Sequence, residues 1–462
     1  MAPTRRDLFR TGGLGFGGMA LASLLNREAF AATHPTHFPA KAKSVIFLCM
    51  TGAPSQLDLF DYKPELKRLH GTSVPESLIA GERFAFLSGV PKLLGTPFQF
   101  KQHGQSGTWV SEMLPQISTV VDDAAFIYSM RTDQFNHAPA EMQMFTGSPR
   151  PGRPSMGSWV TYGLGSDAED LPGFVVLPSG RAGRCGAGCI GTGFLPTVYQ
   201  GVQFRAGGDP VLSLSDPEGM SKDLRRASLD TIKELNQDKF EQCNDPEINT
   251  RIASFEMAYR MQSSVPDLMD ISKEPKHIHE LYGTEPGKKS FANNALLARR
   301  LVERGVRFVM LTHGEWDHHG GTRINLVEHF PAICREVDRA SAALIKDLKQ
   351  RGLLKDTLVV WGGEFGRTPM LQGDADDPLV GRDHHRSFTL WMAGGGVKAG
   401  MHVGSTDDLG YKVAEDPADV FDMQATILNQ LGMDHKRLTY RYQGRDFRLT
   451  DVHGNVIQKL VS

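Results

Sequence analysis

Six short runs of continuously apolar sequence constrain this chain more than any other feature: residues 44–50, 125–130, 174–178, 306–311, 358–361 and 388–392. A strand with one wet face alternates polar and apolar residues. These runs do not alternate, so each is expected to be buried on both faces of a sheet. Helical spacing lies between them. Residues 293–304 carry it and stop at Gly305, residues 328–350 carry it to Arg351-Gly352, and residues 418–431 carry it to Gly432. Residues 218–272 are charged with helical spacing and are expected to pack outside the sheet. Helices alternating with doubly buried strands predict an α/β fold around a parallel sheet. The glycine-rich stretch 180–193 is expected to be a long loop that lines or covers a site.

Composition excludes several classes. A formal net charge of −2 leaves no basic excess to neutralise phosphates, so nucleic acid is not an expected partner. Five cysteines are too few to define the fold by disulfides, although Cys185 and Cys189 are spaced for one local bridge and Cys49 lies in an apolar strand. No Cys-x-x-Cys pair, haem-attachment motif or dinucleotide glycine fingerprint occurs, which argues against redox chemistry.

The first residues are read as an address. Thr4-Arg5-Arg6-Asp7-Leu8-Phe9-Arg10 approximates a twin-arginine motif, residues 12–25 are rich in Gly, Ala and Leu, and Ala29-Phe30-Ala31 supplies a small-residue cleavage pattern. The apolar run is short for a bilayer span and lacks a stop-transfer flank. Residues 1–31 are therefore expected to be a twin-arginine signal, placing the protein in the periplasm or outside the cell with no stable membrane span after cleavage; an uncleaved signal anchor is the alternative. Residues 32–462 are expected to form one domain with a helical insertion at about 215–290.

The chemistry gathers at the strand exits, where open α/β sheets bind ligands. The run ending at Leu311 leads into His313-Gly314-Glu315-Trp316-Asp317-His318-His319. The run ending at Trp361 leads into Gly362-Gly363-Glu364-Phe365-Gly366, and Gly381-Arg382-Asp383-His384-His385 precedes the last strand. Asp, Glu and His without thiolate suit a divalent metal: zinc first, with calcium or manganese as alternatives. The metal candidates are Asp317, His318, His319, Glu364, Asp383, His384, His385 and Asp58, with Asp61 a neighbour of the last. Adjacent residues on an extended segment point opposite ways, so one His of each pair is expected to face the metal and the other to support it. Arg367, Arg382 and Arg386 flank these carboxylates, and guanidinium forks suit a phosphate or sulfate oxyanion.

These residues resemble the alkaline phosphatase and sulfatase superfamily. More narrowly, the chain is similar to the exported bacterial domain-of-unknown-function family numbered fifteen-oh-one, common in planctomycetes. The most specific segments are Gly52-Ala53-Pro54-Ser55-Gln56-Leu57-Asp58, Gly362-Gly363-Glu364-Phe365-Gly366-Arg367-Thr368-Pro369, Gly381-Arg382-Asp383-His384-His385 and residues 442–454. The resemblance implies an alkaline phosphatase-like three-layer α/β/α sandwich with a mostly parallel central sheet. Its departures are also informative. Superfamily hydrolases show Ser-Asp-His-Gly where this chain has Gly363-Glu364-Phe365-Gly366, so Glu364 can replace the aspartate but Phe365 cannot replace the histidine ligand. The first strand lacks the usual ligand Asp before Gly52. Sulfatases present Cys-x-Pro-Ser-Arg, and His137-Ala138-Pro139-Ala140-Glu141 places His137 at the nucleophile position.

The resulting expectation is an exported metal-dependent hydrolase of a phosphate or sulfate ester of a small molecule or glycan. Arg382 or Arg367 would stabilise the oxyanion, and His137 would serve as nucleophile, acid/base or extra ligand. The alternative is a catalytically degenerate relative that binds anionic glycans or an assembly partner. The resemblance also suggests exported cytochrome-like proteins as partners.

Overall fold

The computed structural model describes residues 36–461, apart from residues 83, 85, 88, 181–182, 206–209, 212–213 and 374–378. The expected twin-arginine signal lies outside the described residues.

Every apolar run becomes a strand of one sheet. The strands are β1 (Ser44–Met50), β2 (Ala124–Arg131), β3 (Phe174–Ser179), β4 (Val202–Gln203), β5 (Phe308–His313), β6 (Thr357–Gly362), β7 (Ser387–Ala393), β8 (His402–Val403) and β9 (Ala418–Asp419). Their order is β8-β2-β7-β6-β1-β5-β3-β4, with β9 also pairing with β2. β1 runs parallel to both β5 and β6, and β3 parallel to β5. One strand breaks the parallel pattern that helix–strand alternation predicts. β7 is antiparallel to both β2 and β6, and Ser387 at its start pairs with Arg131 at the end of β2.

Alternate residues of each strand enter separate cores. Ile46, Leu48 and Met50 of β1 join Val309, Leu311 and Trp361 beneath two long helices, α6 (Phe291–Glu303) and α7 (His329–Gln350). Val45, Phe47 and Cys49 face the other way, with Phe308, Met310 and Val360. Helices α2 (His137–Thr146), α3 (Met156–Leu164) and α8 (Val420–Gln430) contribute to that second core. The result is a three-layer α/β/α sandwich. The charged stretch forms two long helices, α4 (Lys222–Cys243) and α5 (Pro246–Met269), and α4 buries only Leu229 among its side chains. Among the described residues no helix is long and apolar enough to cross a membrane.

Register brings the loop-bearing strand ends together. Met50 pairs with His313 and Cys49 with Gly362, so β1, β5 and β6 end at the same edge. Because β7 is reversed, the segment that precedes it arrives at that edge too. A short helix, α1 (Gln56–Leu59), follows β1 there.

Leu48 is fully buried at the centre of the sheet. Leu48→Ala should cost about 3 kcal/mol from lost burial plus the cavity left behind. The check is the urea midpoint, which should fall at an unchanged slope.

Candidate metal centre

Two close contacts fix the loops that carry the site. Gly52, just past β1, has φ of +109°, and a β-carbon there would lie 2.8 Å from the Trp316 amide nitrogen and 2.9 Å from that of Asp317. Only glycine permits that approach. Ala53 and Glu315, both non-glycine, also hold positive φ values of 64° and 78°, so the two turns at the site store backbone strain. From this junction the Gly52 N–H donates to Glu364 Oε1 at 3.0 Å, tying the loop after β1 to the loop after β6.

Asp317 is the hub. Its Oδ1 lies 2.6 Å from His319 Nε2, 3.2 Å from His137 Nε2, 3.4 Å from His384 Nε2 and 2.7 Å from Arg367 Nη2. One ligand atom from each of His137, Asp317, His319 and His384 falls within 4.8 Å of all the others. His137 is the first residue of α2, Asp317 and His319 leave β5, and His384 pairs with Arg367 in a two-residue ladder just before β7.

The opposite nitrogen of each imidazole is anchored. His137 Nδ1 meets Glu364 Oε1 at 2.5 Å, His384 Nδ1 meets the Phe135 carbonyl at 2.7 Å, and His319 Nδ1 meets Gln372 Oε1 at 2.7 Å. A carbonyl and a carboxylate only accept, so the bound Nδ1 atoms carry the protons. In the neutral imidazoles the Nε2 lone pairs then converge on an acceptor oxygen. Burial, reinforced by the nearby Arg367 charge, outweighs the Asp317 bond and lowers His384 to about 4, so it is neutral at ordinary pH. The buried His137 Nε2 has no hydrogen-bond partner among the described residues. These four residues offer an N3O donor set that could hold a divalent metal, with carboxylate or carbonyl partners behind its histidines.

Burial opposes the Asp317 charge, but its close contacts with His137, His319 and His384 together with Arg367 overcome it and hold the carboxyl well below its usual range. His137 is the opposite case: burial lowers it, and its contacts with Asp317 and Glu364 raise it on balance. His137 thus has a carboxylate at each ring nitrogen, Asp317 at Nε2 and Glu364 at Nδ1. Phe365 packs against His137 and His384 at 4.8 Å each, forming an apolar wall where the superfamily pattern has a histidine. Phe86, 60% exposed, lies edge-on over His319 at 4.9 Å and His384 at 5.5 Å.

Several expected site residues lie elsewhere. Asp58 and Arg382 are both fully buried and pair with each other, with Arg382 Nε at 2.7 Å and Nη2 at 3.1 Å from the carboxylate. The rest of that guanidinium serves the Leu94 and Thr368 carbonyls. Burial would raise Asp58, but Arg382, Ser55 and Thr96 lower it overall. The pair is a structural ion pair, so Asp58 is not a ligand and Arg382 cannot reach an oxyanion. Arg367 is likewise committed, donating to the carbonyls of Ala53, Gly52 and Arg382 besides Asp317. Asp383 accepts from the amides of Phe86 and His384. Asp61 pairs with Lys63 and Thr406. His385 turns away to stack on Tyr411 and bond its carbonyl, and His318 packs edge-on against Phe330 at 5.2 Å. Glu364 backs a ligand from behind. Arg386 lies over the Phe135 ring.

Two contributors carried no sequence signal of their own. Gln372 orients His319. Arg184, in the glycine-rich loop, is 44% exposed and places Nη2 2.6 Å from Asp317 Oδ2. Glu141, one turn after His137, is buried beneath that loop and accepts from the Cys185 N–H at 2.7 Å. Burial, reinforced by the Glu364 charge, pushes it up to about 7. Cys185 and Cys189 form the expected local disulfide.

The family described as Protein of unknown function (DUF1501) matches residues 42–461. The chain matches no curated protein. Among solved structures it is similar to a sulfatase, PsFucS1 from Pseudoalteromonas sp., at 12% identity and a TM-score of 0.36, covering 90% of this chain and 71% of that one. It is also similar to a variant of TAB5 alkaline phosphatase with Mg bound, at 11% identity and a TM-score of 0.35, covering 85% and 99%. A third is the lipoteichoic acid synthase LtaP from Listeria monocytogenes, at 10% identity and a TM-score of 0.34, covering 94% and 81%.

Arg382→Met should destabilise the protein by about 3–5 kcal/mol, because it strands a buried carboxylate. Adding Asp58→Asn should recover part of the loss. Thermal melts of the single and double variants decide this, and equal melting temperatures would contradict it. Burial also lowers His318 to about 3, with Arg367 contributing. The unfolded chain binds that proton below about 6.5 and the folded chain does not, so stability is kept above about 6.5 and lost as pH falls toward 3. Tm should therefore drop across that window, and His318→Phe should flatten part of the drop.

Proposed function

The chain belongs to the DUF1501 family, and we propose that it is an exported, metal-dependent hydrolase of a phosphate or sulfate ester, carried by a small molecule or a glycan. One observation carries this reading: His137, His319 and His384 are anchored through Nδ1 and aim Nε2 at a shared point beside Asp317. These four residues would hold the ion, with zinc favoured by the donor set. A divalent ion there supplies a Lewis acid and lowers the pKa of water toward neutrality.

The chain's own groups set up the rest. Glu364, Gln372 and the Phe135 carbonyl fix the imidazole tautomers and orientations. Arg184, half-exposed at the rim, is the cation placed to meet an anionic ester, because Arg367 and Arg382 are consumed internally. Phe86 and Phe365 line the centre with apolar surface, which strengthens electrostatic contacts by excluding water. Export by the twin-arginine route, which carries folded proteins, would let the ion be bound before translocation.

A second reading rests on the donor count. Four protein ligands already complete a tetrahedral shell, as in structural zinc sites. On that reading the protein binds anionic glycans or an assembly partner without turnover.

Metal analysis of the purified mature protein tests both. About one equivalent of metal is expected, lost in Asp317→Ala, His137→Ala and His384→Ala and kept in His385→Ala. Glu364→Gln should weaken metal affinity by about 10–100-fold. Turnover of aryl phosphate or sulfate esters that disappears with the metal supports the hydrolase. Metal without turnover, accompanied by binding of sulfated glycans, selects the second reading. No stoichiometric metal after reconstitution rejects the centre itself.

A further inference from the structure

The stretch from Gly183 to Cys189 touches the centre at Asp317 and its flank at Glu141, and both contacts are made by adjacent residues. Arg184 Nη2 reaches Asp317 Oδ2 at 2.6 Å, and the next N–H, of Cys185, donates to Glu141 Oε2 at 2.7 Å. Glu141 is 1% exposed, and its other oxygen has no hydrogen-bond partner among the described residues. Such a carboxylate is costly to bury for packing alone. Gly183 sits so close that an added β-carbon would lie 3.0 Å from Glu141 Oε2 and 3.3 Å from Thr51. The Cys185–Cys189 bridge spans a separation of four residues, so it ties together no distant elements. What it restrains is the turn that presents Arg184.

We propose that Glu141 and the Cys185–Cys189 disulfide are positioning groups that strap Arg184 onto the centre, making the anion-binding side of the site dependent on an oxidised disulfide. That Arg184 meets a substrate anion rests on the hydrolase reading, whereas the strap itself does not. A dithiol reductant opens it by thiol–disulfide exchange. Two electrons and two protons pass to the sulfurs of Cys185 and Cys189, which become thiols, and the reductant closes to its own disulfide. The Cys185 amide then loses its restraint toward Glu141, and Arg184 swings free of Asp317. Disulfides persist in oxidising compartments, so a chain exported in folded form would acquire its fixed arginine after export.

Limited trypsin digestion reads the strap without metal or substrate, because cleavage between Arg184 and Cys185 requires the segment to lift away. Mass spectrometry should show that cleavage rising about tenfold on dithiol reduction, in Glu141→Ala and in the double variant Cys185→Ala/Cys189→Ala, as expected when one buried hydrogen bond is lost. Glu141→Gln keeps an acceptor oxygen and should stay near the wild-type rate, which a purely charge-based role would not allow. Equal cleavage in the oxidised, reduced and Glu141→Ala proteins overturns the strap. In metal-loaded protein, reduction should raise the Kd for inorganic phosphate about tenfold with metal content unchanged. An unchanged Kd overturns the positioning role. Strap-dependent cleavage in a protein that turns over no ester would leave the strap standing and the hydrolase reading rejected.

Discussion

Asp317 places a negative charge in a pocket where only 15% of its side chain meets solvent, and the architecture around the sheet edge follows from compensating it. A carboxylate removed from water costs several kcal/mol unless the protein replaces its hydration. Here the replacement comes from five separate segments: the start of α2, the glycine-rich loop that carries Arg184, the loop after β5, the loop after β6 and the ladder before β7. None of these segments satisfies its own polar groups alone. Glu364 needs the Gly52 amide and His137, His137 needs Glu364 and Asp317, and Arg367 needs the carbonyls of the loop after β1. The strand ends are thus held at one edge by polar bonds as well as by the apolar sheet beneath them.

The sheet was legible because its strands are buried on both faces, and continuous apolar runs announce that burial directly. The direction of β7 was not. A run such as 388–392 carries no mark of polarity, and direction is set by connection length and by what its ends must meet. The reversal matters functionally: in a parallel β7, His384 would sit at the far edge of the sheet from Asp317. The clustering was legible as residue types at strand exits, for His137, Asp317, His319 and His384 all come from the candidate segments and converge. Choosing between neighbours was not, since alternation says that His384 and His385 point apart but not which side faces inward.

The carboxylates and guanidiniums that lie apart from the cluster's donor set share one cause. Asp58, Arg367 and Arg382 have the chemistry of a site, and sequence does not show that they are spent on each other or on carbonyls. Asp58 and Arg382 are 324 residues apart and meet only because α1 and the β7 hairpin converge. Gln372 and Arg184 escaped notice for the converse reason. An amide and a loop arginine are common residue types, and their roles come wholly from where the chain brings them.

Helix α2 links the donor cluster to the glycine-rich loop. Its first turn presents His137 to Asp317 and Glu364, and its second presents Glu141 to the loop that carries Arg184. Residues four apart lie on one face of a helix, so a single rigid element sets the distance between the donor cluster and the anchor of the arginine. Glu364 charge is felt at both, as a partner for His137 and as a repulsion that helps raise Glu141. A second full negative charge at Glu141 would therefore act against Glu364, and the Cys185 N–H bond moderates that conflict. The loop is thus held by a carboxyl whose charge the neighbouring Glu364 opposes.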